Sequence, residues 1–116
     1  MSYAALAGDA VVNHRGEDLG KLAHVMIDVA SGRVAYAVLS HGGVFGIGER
    51  LFAIPWRALA LDAARNCFVL DVDRDRFDKA PGFDPRHWPA MDDAAWAAQV
   101  RDFYRTLPAP DPDRTA

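Results

Sequence analysis

The sequence has little of what specific chemistry usually needs. Its 116 residues include one cysteine, Cys67, which excludes an intrachain disulfide and any zinc site built from several thiolates. Positive charge is also scarce. Thirteen Lys and Arg against sixteen Asp and Glu leave a formal net charge of −3. General nucleic-acid binding needs a positive surface that displaces counterions from phosphates, so no general DNA binding is expected. No apolar run approaches the ~20 residues that cross a bilayer, so no transmembrane segment is expected. The opening residues Met1-Ser2-Tyr3-Ala4-Ala5-Leu6-Ala7 lack the basic stretch of a signal peptide. These absences together give an expectation of a cytoplasmic protein.

What is present is an ordinary globular composition, 51% hydrophobic and 25% charged. The length suits one domain with a core that needs no covalent staples. The first two-thirds is punctuated like a small all-β unit. Val11-Val12 precede a polar turn at Asn13–Asp18. From Leu19 to Asp28 apolar residues fall on both faces: Leu22, His24 and Met26 on one, Val25, Ile27 and Val29 on the other. After the turn Ala30-Ser31-Gly32, the β-branched and aromatic run Arg33–Ser40 gives the clearest strand. So short a turn makes the two strands an antiparallel hairpin.

Residues 41–48, His-Gly-Gly-Val-Phe-Gly-Ile-Gly, form a glycine-rich loop. A strand follows from Glu49 to Ile54, stopped by Pro55, which cannot donate to a ladder. Trp56–Leu59 reads as a turn or helical corner. Leu61 and Cys67–Val72 make a last hairpin about Asp62–Asn66. Short strands with turn signals every ten or so residues suggest a barrel or sandwich, and barrel closure removes exposed edges.

Beyond Val72 the pattern changes. Residues 73–80 read as a helical turn ended by Pro81-Gly82, and 83–89 as an irregular aromatic connector. A helix then starts with Asp92 as N-cap and a hydrophobic staple between Met91 and Trp96. Trp96, Val100, Phe103, Tyr104 and Leu107 form one apolar stripe, a face that must be buried. Residues 108–116, with three prolines, read as a disordered tail.

Taken together, these segments resemble the PRC-barrel domain family, in the form of its stand-alone bacterial members. The resemblance rests on Leu19-Gly20-Lys21, the apolar stretch ending at Ile27-Asp28, and Gly32–Ser40. It continues through Gly42–Glu49, Leu51–Trp56 and Phe68–Asp73, and into Ala80-Pro81-Gly82-Phe83 and Trp88-Pro89. It implies a mainly β fold, a small, strongly bent antiparallel β-barrel of about six strands, with a C-terminal helical extension, often self-associating. The expected organisation is a barrel over 8–80, a connector and amphipathic helix over 81–107, and the tail over 108–116. Members of this family contact other macromolecules rather than carry out covalent catalysis.

Each motif that could carry chemistry has a plainer use. Gly43-x-x-Gly46-x-Gly48 reverses the dinucleotide fingerprint and lies between strands, without the helix N-terminus that holds phosphate. Asp71-x-Asp73-x-Asp75 begins like a calcium loop, but Arg76 stands where that loop needs glycine, and Gly82 where it needs glutamate. Capping and surface ion pairs are its expected roles. His14, His24, His41 and His87 form no His-x-x-x-His pair, and His24 is expected as a partly buried imidazole. Cys67 behaves as a small hydrophobe. Ser31 and Ser40 lack a nucleophile-elbow context, and Trp56, Trp88, Trp96 and Tyr104 suit core anchoring better than base stacking.

The expectation is therefore a non-enzymatic protein-interaction and assembly module without cofactor or metal. It forms a homodimer with itself and meets an unidentified protein partner. The motive is an apolar excess over what one small barrel covers. The candidate interface is Val44, Phe45, Ile47, Trp88, Trp96 and Tyr104. The alternative is a small-ligand or metal sensor at the barrel mouth or dimer groove, drawing on His41, Glu49 and Arg50.

Overall fold

Turn residues cut the apolar alternation into six strands. A computed structural model describes residues 9–42, 48–90 and 93–105. The strands are β1 (Ala10–Val12), β2 (Asp18–Asp28), β3 (Arg33–His41), β4 (Arg50–Pro55), β5 (Leu59–Asp62) and β6 (Cys67–Leu70). They bond in the order β4-β3-β2-β1-β6-β5 as one sheet, curled into a half-barrel. A 3-10 turn, Trp56–Ala58, joins β4 to β5, and two helices follow, α1 (Arg74–Phe77) and α2 (Ala94–Arg105). Four of the five pairings are antiparallel. The exception joins β1 to β6 in parallel, Val11 opposite Phe68 and Val12 opposite Val69.

The sheet curls because β2 bends. Its eleven residues pair with β1 at one end and β3 along most of their length. At the bend Gly20 has φ +142°, a backbone region that residues with a Cβ rarely adopt. A Cβ there would lie 2.4 Å from the Ser40 carbonyl oxygen of β3. The Gly20 N–H donates to the Asp18 side chain at 2.9 Å, which fixes the approach to the bend.

Two bulges then re-aim side chains. Leu22 opposes Leu39 and His24 opposes Val38, so Ala23 is an extra residue on β2; Ala35 is likewise extra on β3. The bulge at Ala23 overturns the expected grouping of Leu22 with His24. Leu22 and Val25 belong to the barrel interior, and Met26 packs against the opposite face. His24 is exposed, not partly buried, because the extra residue shifts the phase of the alternation.

The interior holds Val11, Leu19, Leu22, Leu39, Ile54 and Leu70, each at most 1% exposed. Phe77 from α1 enters the same core and stacks on Phe52, ring centroids 4.8 Å apart. The outer face of β3 and β4, with Val38, Leu51 and Ala53, is covered by Phe83. Phe83 also exchanges two backbone hydrogen bonds with Leu51, at 2.8 and 2.9 Å. This pairing occupies part of the β4 edge, so chain wrapping serves where barrel closure was expected.

Helix α2 begins one residue later than its sequence implied. The Asp93 carboxylate accepts the N–H groups of Ala95 (2.9 Å) and Trp96 (3.3 Å), so the cap is Asp93. Asp92, and the Met91 half of the staple, lie outside the described residues. The apolar stripe packs as expected: Val100 and Tyr104 are buried, and Trp96 and Phe103 are half-buried against the core. Leu107 and the 108–116 tail lie outside the described residues. Burial of a side chain such as Val100 stabilises by ~1.5–3 kcal/mol.

Gly20→Ala places a methyl group against backbone that has no rotamer to yield. The variant is expected to lose at least about 2 kcal/mol of stability, read as a lower urea midpoint. Gly16→Ala is the comparison: its φ of +78° is also strained, but a Cβ there meets nothing within 4 Å. Equal losses in the two variants would show that backbone conformation alone, not the close approach, matters at Gly20.

Candidate functional site

The β3–β4 connection lies at one end of the sheet. Its stems are Gly42 and Gly48, with φ of +75° and +80°. A Cβ on Gly42 would stand 3.8 Å from the Gly48 carbonyl, so the two stems nearly touch. Val44, Phe45 and Ile47, which come between these stems in the sequence, lie outside the described residues.

His41, Glu49 and Arg50 flank the neck, each with a different setting. The His41 Nδ1–H donates to the Leu19 carbonyl at 2.8 Å, and its ring meets Phe52 and Phe77 edge-on. The Ser40 hydroxyl donates to the Glu49 carboxylate. Arg50 sits opposite His41 in register and is exposed. Adjacent strand residues point to opposite faces, so Ser40, which holds Glu49, and His41 lie on different sides of the sheet. The three side chains are close along the chain but do not converge.

Trp88 stands on the outer face of β2 and β3. Its ring packs edge-on against His24 (centroids 5.1 Å) and Phe83 (5.0 Å), and it remains 38% exposed. The connector carrying it is held by Asp84, whose carboxylate accepts the Arg86 N–H at 2.8 Å. That bond, with the nearby Arg86 and His87 charges, holds the Asp84 carboxyl below the usual range. Tyr104, by contrast, is inside, and Trp96 is half-buried. Trp96 packs between the two core clusters beside Tyr36, ring centroids 5.5 Å apart. Tyr104 is 4% exposed. It is a core residue and presents no surface, because the helix turns this side of its stripe into the barrel.

The remaining sequence candidates have structural settings. Asp71 pairs with His14 at 2.6 Å, and Asp73 approaches Arg15 at 4.0 Å. Asp73 occupies the N-cap position of α1, but its side chain makes no capping bond. Cys67 is buried, and desolvation, aided by the Asp62 charge, pushes its thiol up and away from the reactive thiolate. Among the described residues no three His, Cys, Asp or Glu side chains gather as a metal would require. No described helix is long and apolar enough to cross a membrane.

One feature escaped the sequence reading. An open groove of about 390 Å³ runs between α2 and the β3–β4 end of the sheet, past the 3-10 turn. Tyr36, Pro55, Trp56 and Ala97 line it, with Arg57 and Arg101 beside them. Its only sequence signal is the i, i+4 spacing of Ala97 and Arg101 on the flank of the apolar stripe.

The architecture defines a curled six-stranded β-module carrying a helix on its open side, with ringed and apolar surfaces but no converging reactive groups among the described residues. The family model of the PRC-barrel domain matches residues 1–77, and the chain belongs to that family. Curated proteins include no match to it. PRC-barrel domains are in general non-catalytic and serve as protein-interaction modules.

Tyr104 gives a test of the helix packing. Its hydroxyl is buried without a partner among the described residues, and burial pushes its ionisation well above the ordinary value. Tyr104→Phe is expected to stabilise by about 1 kcal/mol, since an unmade hydrogen bond is relieved. The unfolded chain ionises Tyr104 near pH 10 and the folded chain does not, so stability falls as pH rises past 10. Urea denaturation from pH 8 to 11 checks both. A Phe variant with the same alkaline slope as the parent would place the hydroxyl in water.

Proposed function

We propose that this chain is a non-enzymatic protein-interaction and assembly module that works as a homodimer. The second copy is met through Trp88 and through the loop side chains Val44, Phe45 and Ile47. One observation carries this reading: Trp88 is a large ring left 38% exposed beside Phe83 on the outer face of the sheet. Exposed aromatic rings are the commonest anchors of protein interfaces. Phe83 and His24 hold it rigid, so little side-chain entropy is lost when a partner covers it.

The apolar excess that motivated the dimer is smaller than the sequence implied. Phe52, Phe77, Phe83 and Tyr104 are all buried within one molecule. Tyr104 therefore leaves the proposed interface, half-buried Trp96 offers it only part of a ring, and its weight moves to Trp88 and the loop. A further protein partner is compatible with the same surface. A cytoplasmic setting belongs to the proposal, since Cys67 stays a reduced thiol there.

A stable dimer buries roughly 1,600 Å² in total. Light scattering at micromolar concentration is expected to give about twice the 12.7 kDa chain mass. Trp88→Ser is expected to weaken self-association at least about tenfold, the effect of removing a central aromatic anchor. Phe45→Asp is expected to shift the mass to that of a monomer. Circular dichroism confirms that both variants fold. A parent chain already monomeric, or folded variants with unchanged mass, would overturn the reading.

A further inference from the structure

The chain is acidic overall, with a formal net charge of −3, but the groove beside α2 is not. Arg57 and Arg101 are exposed at its side, and no acidic residue among the described ones lines it. Neither arginine has an ion pair among the described residues. By contrast, Arg15, Arg65, Arg86 and Arg105 each have a carboxylate within 4.0 Å.

The floor of the groove is apolar and held in place. The rings of Tyr36 and Trp56 and the pyrrolidine of Pro55 are half-buried there. Tyr36 packs on Trp96 with centroids 5.5 Å apart, and Trp56 on Phe68 at 6.0 Å. Rings fixed in this way lose little side-chain entropy when something covers them. At its β3 end the groove is lined by Val34, and directly opposite Val34 on β2 stands Ile27, 59% exposed. Cross-strand neighbours share a face, so the apolar strip runs on past the groove toward the β2–β3 turn.

We infer that this groove docks an extended acidic segment of another protein. The segment's proline or aliphatic residues lie on the Tyr36 and Trp56 floor, and its carboxylates pair with Arg57 and Arg101. The inference rests on the reading of the chain as a protein-interaction module, but not on self-association through Trp88.

Three physical arguments select this occupant. The first is charge. A guanidinium group and a carboxylate form paired, charge-assisted hydrogen bonds, and docking here breaks no ion pair within the described residues. At physiological salt, charges farther off than ~8 Å are largely screened, so the two arginines outweigh the net charge of the chain. The second is shape: an open groove with an aromatic floor suits a chain that is already extended before it binds. The third is what the surface lacks. Two guanidinium groups on an acidic chain neutralise too few phosphates to hold a nucleic acid. An anionic bilayer is disfavoured by Asp28, whose carboxylate accepts from the Ala30 N–H and the Ser31 hydroxyl beside exposed Ile27 and Val29.

The test is fluorescence anisotropy of the full chain with labelled decapeptides of proline, leucine and glutamate in varied order. Matched sets carry glutamine or lysine in place of glutamate. Acidic peptides are expected to bind with Kd below about 1 mM, and their glutamine counterparts at least about tenfold more weakly. In Arg57→Glu/Arg101→Glu the preference should reverse, the lysine peptides gaining what the acidic ones lose. Both side chains are exposed, and that gain itself reports a folded groove. No acidic peptide bound below about 1 mM overturns the inference. So does equal binding of the acidic and glutamine sets, or an unchanged preference in the charge-reversed variant. Single-stranded DNA or phosphatidylglycerol vesicles bound more tightly than every acidic peptide, and released by the same reversal, also overturn it. Light scattering on the same samples keeps the two readings apart. A monomer that binds acidic peptides upholds the groove and removes the homodimer; a dimer that binds none does the opposite. A dimer that the charge reversal splits assigns the groove to a second copy and overturns the inference.

Discussion

Two backbones meet at Gly20 with no room for a methyl group between them. The carbonyl of Ser40 occupies the volume a Cβ would need, and on that contact the curl of the sheet depends. A straight β2 could pair with β1 or with β3 along its length, but it could not serve both and still fold the sheet over its interior. The bend turns one long strand into two short ones at an angle. The bulges at Ala23 and Ala35 add curvature beyond it. With the interior closed in this way, Leu19 and Leu22 on either side of the glycine are both shielded from water.

The C-terminal third completes what the strands leave open. Phe77 fills the core from one side, and Phe83 covers the opposite face of β4, so five intervening positions carry the chain around the sheet edge. Gly82 lies against the Phe52 ring, where a Cβ would come within 2.7 Å. Arg76 fastens the two helices: its guanidinium donates to the Phe103 carbonyl at 3.2 Å and lies 5.4 Å from that ring's centroid. The extension is therefore an integral part of the packing, not an appendage beside a finished barrel. Among the described residues, this wrapping leaves Trp88 exposed beside Phe83, and a groove open along the flank of α2.

Strand existence was legible wherever β-branched residues lay between turn signals, as in Arg33–His41 and Cys67–Leu70. The helix was legible from its apolar stripe. Side-chain direction in β2 was not, because a bulge inserts one residue without any compositional mark, and period-two counting then assigns His24 to the wrong face. The cap position slipped by one because Asp92 and Asp93 carry the same side chain, and only the hydrogen bonds of Asp93 distinguish them. Of the interface candidates, Trp88 could be separated from Trp96 and Tyr104 only by three-dimensional packing: all are aromatic, but only one sits above the covered face. The groove was hidden for a related reason. Its lining comes from three separate stretches of chain, and no local pattern connects one to another.

The parallel pairing of β1 with β6 bears on how the molecule comes to exist at all. Asn13, at the end of β1, donates to the Val72 carbonyl 59 residues away, and its other bonds tie down the turn before β2. During synthesis the first strand thus has to wait until nearly the whole barrel has left the ribosome before its second edge is covered. Topologies closed by such distant contacts assemble slowly. For that interval a hydrophobic strand stands open to neighbours, and a chain able to recruit its own later segments quickly has an advantage in a crowded cell.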